Sequence, residues 1–68
     1  MVKVRQYQKT RLLKRRLFDS YQEAEEKAIE LAKKVPDLNI HIYVDGDIRC
    51  VIVQGQIFTE EHGPRPIK

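Results

Sequence analysis

Seven cations crowd the first eighteen residues of this 68-residue chain, namely Lys3, Arg5, Lys9, Arg11, Lys14, Arg15 and Arg16, and no carboxylate accompanies them. Phosphate binding needs several cations on one surface, and a two-stranded ribbon is narrow enough to enter the major groove of DNA. Tyr7 lies in the same segment and offers an aromatic face on which a base of a single strand could stack. The bland alternative is a solvated face balanced by the acids of the helix that follows, Glu23, Glu25, Glu26 and Glu30.

Other residue types that carry chemistry are sparse. His41 falls in the middle of an alternating apolar run. His62 lies near the end, and Cys50 is the only thiol. Their spacing matches no zinc pattern, so no metal or cofactor is expected. Cys50 is in phase with Ile48 and Ile52 and reads as a buried, unreactive thiol. Asp45-Gly46-Asp47 resembles the opening of a calcium loop, but Cys50-Val51-Ile52-Val53 stands where later acidic ligands would be needed. Neither Gly46 nor Gly55 opens a phosphate-binding loop. With no nucleophile, base and orienting group in view, an enzyme is not expected.

The elements that must position these residues follow from periodicity. Val2 and Val4 alternate with Lys3, Arg5 and Tyr7, which is a strand pattern. Gln8-Lys9-Thr10 turns the chain. Residues 11–18 then read as a second strand, with Leu13 and Leu17 on one face and Leu12, Lys14, Arg16 and Phe18 on the other; a short helical turn is the rival reading, because Leu13 and Leu17 are also four apart. A helix is expected over Ser20–Val35. Ser20 to Glu23 fits a capping box, and Tyr21, Ala24, Ala28, Leu31 and Val35 recur at helical spacing. Acids near its start and Lys33 and Lys34 near its end suit the helix dipole, and Pro36 closes it.

Leu38, Ile40, Ile42 and Val44 alternate in a third strand, and Ile48 to Val53 makes a fourth. A two-residue Asp45-Gly46 turn would set Ile42 beside Arg49. A three-residue loop aligns Val44, Ile42 and Ile40 with Ile48, Cys50 and Ile52, and this apolar agreement favours the longer loop. The resulting fold class is α+β in the order ββαββ, one amphipathic helix on a short antiparallel sheet, with Gln56–Thr59 as an optional fifth strand. The domain spans residues 1–61, with a basic hairpin over 1–18. Residues 62–68, with two prolines and a glycine, read as a flexible tail.

Composition narrows the setting. The chain is 41% hydrophobic and 34% charged with a formal net charge of +3. Beyond residue 18 it carries six basic and ten acidic residues, so a basic arm joins a mildly acidic body. A single cysteine, a charged beginning without an apolar leader and no long apolar run lead to the expectation of a cytoplasmic protein without membrane contact. The functional expectation is a small non-enzymatic protein binding DNA or RNA through Lys3, Arg5, Tyr7, Lys9, Arg11, Lys14, Arg15 and Arg16. The alternative is a protein-binding module or small inhibitor, self-associating as a dimer. It would use the uncovered sheet face at His41, Tyr43, Arg49, Val51 and Val53.

Overall fold

The alternation of Val2 and Val4 with Lys3 and Arg5 forms β1 (Val2–Gln8), and its valines point into the core. In the computed structural model, which describes residues 1–60 and 63–67, β2 (Arg11–Phe18), α1 (Tyr21–Lys34), β3 (Leu38–Val44) and β4 (Asp47–Val53) follow. Two short strands, β5 (Gln56–Thr59) and β6 (Arg65–Pro66), complete the chain. The expected α+β class holds, with one helix and six antiparallel strands among the described residues, in the order β2-β1-β3-β4-β5-β6.

The strand count corrects the ββαββ order. Ile57 pairs with Arg65 and Gln56 with Pro66, so part of the segment assigned to a tail adds an outer strand. The Ile67 amide also donates to the Gly55 carbonyl at 2.9 Å. Proline is tolerated there because an edge strand need not donate outward. Glu61, His62 and Lys68 lie outside the described residues, and with them the expected boundary between domain and tail.

The helix begins and ends where its caps dictate. The Glu23 amide donates to the Ser20 hydroxyl at 3.2 Å, and the Val35 amide closes the last turn on the Leu31 carbonyl at 2.9 Å. Lys27 and Lys34 flank Glu30 at 3.6 and 3.5 Å, and Lys27 foremost holds that carboxyl below its usual range.

The buried stripe is narrower than expected. Ala24, Ala28 and Ala32, one residue per turn, are the buried positions, while Leu31 is half-buried and Val35 is 44% exposed. Leu31 and Val35 are thus corrected from core to margin. A ridge of alanines lets the helix sit close to the sheet, and bulk comes from the sheet instead. Ile40, Ile42 and Ile52 have no exposed surface, and Val4 and Cys50 almost none.

The β3–β4 connection also differs from expectation. Asp45 and Gly46 form a two-residue turn with φ of 52° and 89°, and Val44 pairs with Asp47. Positive φ at both central residues is the twist-matched hairpin geometry. The register then shifts, because Tyr43 pairs with Ile48 while Ile42 pairs with Cys50, which leaves Arg49 as an extra residue. Such a bulge reverses the facing of everything between it and the turn. The inward alignment of Ile40 with Ile52 and Ile42 with Cys50 is therefore kept, but Ile48 is turned out and is 43% exposed. A similar shift in the first hairpin leaves Leu13 extra, so Tyr7 pairs with Leu12 while Gln6 pairs with Lys14.

Candidate nucleic-acid interface

The helix covers one face of the sheet and leaves the other open. On the open face, cross-strand partners run in continuous rows. One row is Arg15, Arg5, His41, Val51 and Phe58, passing from β2 through β1, β3 and β4 to β5. The next is Leu17, Lys3, Tyr43 and Ile48, and a third is Leu12, Tyr7 and Asn39. These rows contain Lys3, Arg5 and Arg15 and no carboxylate.

The strand order makes this possible. β1 lies between β2 and β3, so its outward residues are flanked by the basic strand on one side and the aromatic strand on the other. The guanidinium of Arg5 sits over the Tyr43 ring at 5.1 Å from its centroid. Tyr7 and His41 pack with centroids 4.9 Å apart, and His41 and Tyr43 with centroids 6.4 Å apart. Burial, and then the positive charge of Arg5, push the His41 pKa below its ordinary value. At neutral pH the imidazole is therefore uncharged, a third aromatic surface in the cluster.

The expected site residues divide between the two faces. Lys3, Arg5, Tyr7 and Arg15 are on the open face together with His41, Tyr43 and Val51. Val53, paired with Gln56 beyond them, shares that side. Lys14 and Arg16 pair with the inward residues Gln6 and Val4, so they belong to the helix side. Lys9 is in the turn, with φ of 57°, and Arg11 starts β2 beside it. Arg49 is corrected out of the open-face set. The bulge carries it to the helix side, where it pairs with Glu60 at 3.6 Å. Four exposed open-face residues were not anticipated there, Leu12, Leu17, Ile48 and Phe58, while Asn39 lies on the uncovered face as expected, as partner of Tyr7. The Asp45-Gly46 pair was the available signal for Ile48, since it favours a two-residue turn.

On the helix side, a groove of about 550 Å³ is lined by Arg49 and Arg65 and by Glu25 and Glu60. Its charges are mixed and partly matched. Tyr21 donates to Glu25 at 2.6 Å there, and burial foremost raises the phenol pKa. Burial likewise pushes the Cys50 thiol up to about 11. Among the described residues no group of three or more His, Cys, Asp or Glu side chains could hold a metal ion. Among them no helix is long and apolar enough to cross a membrane. Comparison with protein-family models, curated proteins and solved structures finds no match.

Proposed function

We propose that this is a non-enzymatic nucleic-acid-binding protein whose N-terminal hairpin contacts phosphates through the open sheet face. The observation that supports it most is the joining of Lys3, Arg5 and Arg15 with Tyr7, His41 and Tyr43 in cross-strand rows that, among the described residues, hold no carboxylate. Among the described residues these cations form no ion pair with a carboxylate, so an anionic ligand would neutralise them and release counterions.

The test is charge reversal by face, read by fluorescence anisotropy with labelled oligonucleotides. Lys3→Glu, Arg5→Glu and Arg15→Glu together should abolish binding, while Lys14→Glu with Arg16→Glu should leave most of it. If the three open-face cations carry the contact, log K should fall against log salt with a slope of about −2 for a single strand and about −2.7 for a duplex. Engagement of all seven hairpin cations would give about −5 and −6 instead. No binding to any oligonucleotide at low salt, or binding retained by the triple variant, would defeat the proposal.

A second reading is supported by the exposed Leu12, Leu17, Ile48 and Phe58 on the same face. Apolar residues among cations also suit a protein partner or a second copy. Concentration-dependent size exclusion without nucleic acid, abolished by Tyr43→Asp, would favour that reading.

A further inference from the structure

We infer that the open face takes a single strand of nucleic acid, its bases stacking on Tyr7, His41 and Tyr43 and its phosphates reaching Lys3, Arg5 and Arg15. This rests on the nucleic-acid reading above and chooses among its ligands. The sequence alone leaves room for a free ribbon inserted in a duplex groove. β1, however, is paired along its length on both sides, with β2 and with β3, so the hairpin is part of a wide sheet and not a projecting arm. Strands lie about 4.8 Å apart, so the five strands that share the row from Arg15 to Phe58 span roughly 19 Å. That exceeds the roughly 12 Å width of the major groove. The molecule measures 27 × 26 × 18 Å along its principal axes, each larger than that width.

The side chains on the face match a single strand in kind. Tyr7, His41 and Tyr43 are each half-buried, and the Arg5 guanidinium lies over one face of the Tyr43 ring. Their rings are tilted by 46° and 59° to one another, so they form separate platforms instead of one closed stack. A base has a π-face whatever its identity, so such platforms accept any sequence. The neutral imidazole of His41 serves stacking better than ion pairing. The Arg5 guanidinium over Tyr43 can meet a phosphate at its edge while its plane stays on the ring. Lys3 and Arg15 lie on either side of Arg5, one in the neighbouring row and one on the neighbouring strand, and extend the positive track. Stacking platforms flanked by a cationic track make up the general architecture of sequence-tolerant single-strand binding.

The experiment uses the full chain and fluorescein-labelled 12-mers: oligo-dT, oligo-U, and a 12-base-pair DNA duplex at matched salt. The expected result is that a single strand binds at least about tenfold tighter than the duplex. Tyr7→Ala and Tyr43→Ala should each weaken single-strand binding about 5- to 150-fold, the range a lost stacking platform gives, while Tyr7→Phe and Tyr43→Phe retain it. Comparing oligo-dT with oligo-U tells DNA from RNA as the preferred source of the strand. A readout on the unaltered protein guards against variants that fail to fold. There is no tryptophan, so emission from Tyr7, Tyr21 and Tyr43 is directly visible, and the single strand should quench it. Equal or tighter binding to the duplex, or alanine variants that bind like wild type, or unquenched emission at saturation would overturn single-strand stacking while leaving phosphate contact intact. Failure to bind any of the three probes would defeat both readings and turn attention to self-association.

Discussion

Truncating Ile40 should be far more damaging than truncating Leu31, although the strand alternation and the helical stripe read from sequence point both residues at the core. Ile40 has no exposed surface and sits mid-sheet between Gln6 and Ile52, opposite the alanine ridge of α1. Removing a buried Ile down to Ala typically costs about 2–5 kcal/mol, and the upper half applies where the surroundings cannot collapse. Here the walls are paired backbone on both sides and a helix already at close approach, so collapse is limited. Leu31 is half-buried at the helix margin. Scaling the loss by the area it removes from water gives about 1–2 kcal/mol. A domain this size has a total stability of about 3–10 kcal/mol, so Ile40→Ala can consume most of it. Urea denaturation followed by circular dichroism reads both variants, with Ile40→Val, expected at about 0.5–1.5 kcal/mol, as a graded step that stays folded. The packing argument fails if Leu31→Ala destabilises as much as Ile40→Ala, or if Ile40→Ala costs less than about 0.5 kcal/mol, the scale of a surface change.

Three further outcomes are expected. Gln6 is buried with its side-chain Nε2 lacking a partner, and an unsatisfied buried donor costs about 1–3 kcal/mol; Gln6→Leu should therefore raise the urea midpoint, and a lower midpoint would show that the amide is satisfied. His41 has its pKa lowered by burial and by Arg5, so the unfolded chain binds its proton first. Stability should decline on acidification below about pH 6.5, the ordinary histidine value, and a midpoint in His41→Gln as pH-dependent as wild type would refute this. Cys50 is 1% exposed with its pKa pushed up to about 11, so alkylation should track global unfolding, and its contribution to stability should be lost as pH rises through the alkaline range towards that value. Rapid labelling of native protein at pH 8 would contradict that burial.

The sequence was most legible where one physical rule acted alone. Ser20 and Pro36 bracket the helix because capping and the steric demand of proline are local. The inward alternation of Val2 and Val4, and of Ile40 and Ile42, identified two strands of the core. Legibility failed where two rules competed. Apolar matching favoured a three-residue loop after Val44, while Asp45-Gly46 favoured a two-residue turn. The chain satisfies both by inserting a bulge at Arg49, which neither rule alone implies. That single residue moves Arg49 to the helix side and Ile48 to the open face. Strand order was the other hidden variable. Placing β1 between β2 and β3 is a long-range outcome of burying Val2 and Val4 beside Ile42 and Val44. It brings the hairpin cations and the aromatic residues of β3 together on one surface, although the sequence presents them as two rival sites.

Arg5 and Arg15 face one another across β1 and β2, and this pairing separates the demands of folding from those of binding. Like charges directly opposite destabilise a sheet, whereas opposite charges there contribute about 0.2–1 kcal/mol. Arg15 is exposed and Arg5 half-buried, so the interaction is partly screened and the lower part of that range applies. Arg15→Glu replaces a repulsive pair with an attractive one. It should stabilise the protein by about 0.3–1 kcal/mol, which for a domain this size raises Tm by about 2–6 °C. The gain should shrink in 1 M salt, where the screening length falls to about 3 Å. Arg15→Gln, which removes the repulsion without creating attraction, should lie between the two. If the open face holds phosphates, the same change must weaken nucleic-acid binding, because a cation is lost and an anion is placed in the middle of the track. Stability and affinity should therefore move in opposite directions across Arg15, Arg15→Gln and Arg15→Glu. This is the signature expected where a surface departs from its most stable arrangement for the sake of a ligand. A series in which stability rises and binding is unchanged would make the repulsion incidental. A series in which stability falls with Arg15→Glu would mean that Arg15 has a structural partner and that the face is organised otherwise.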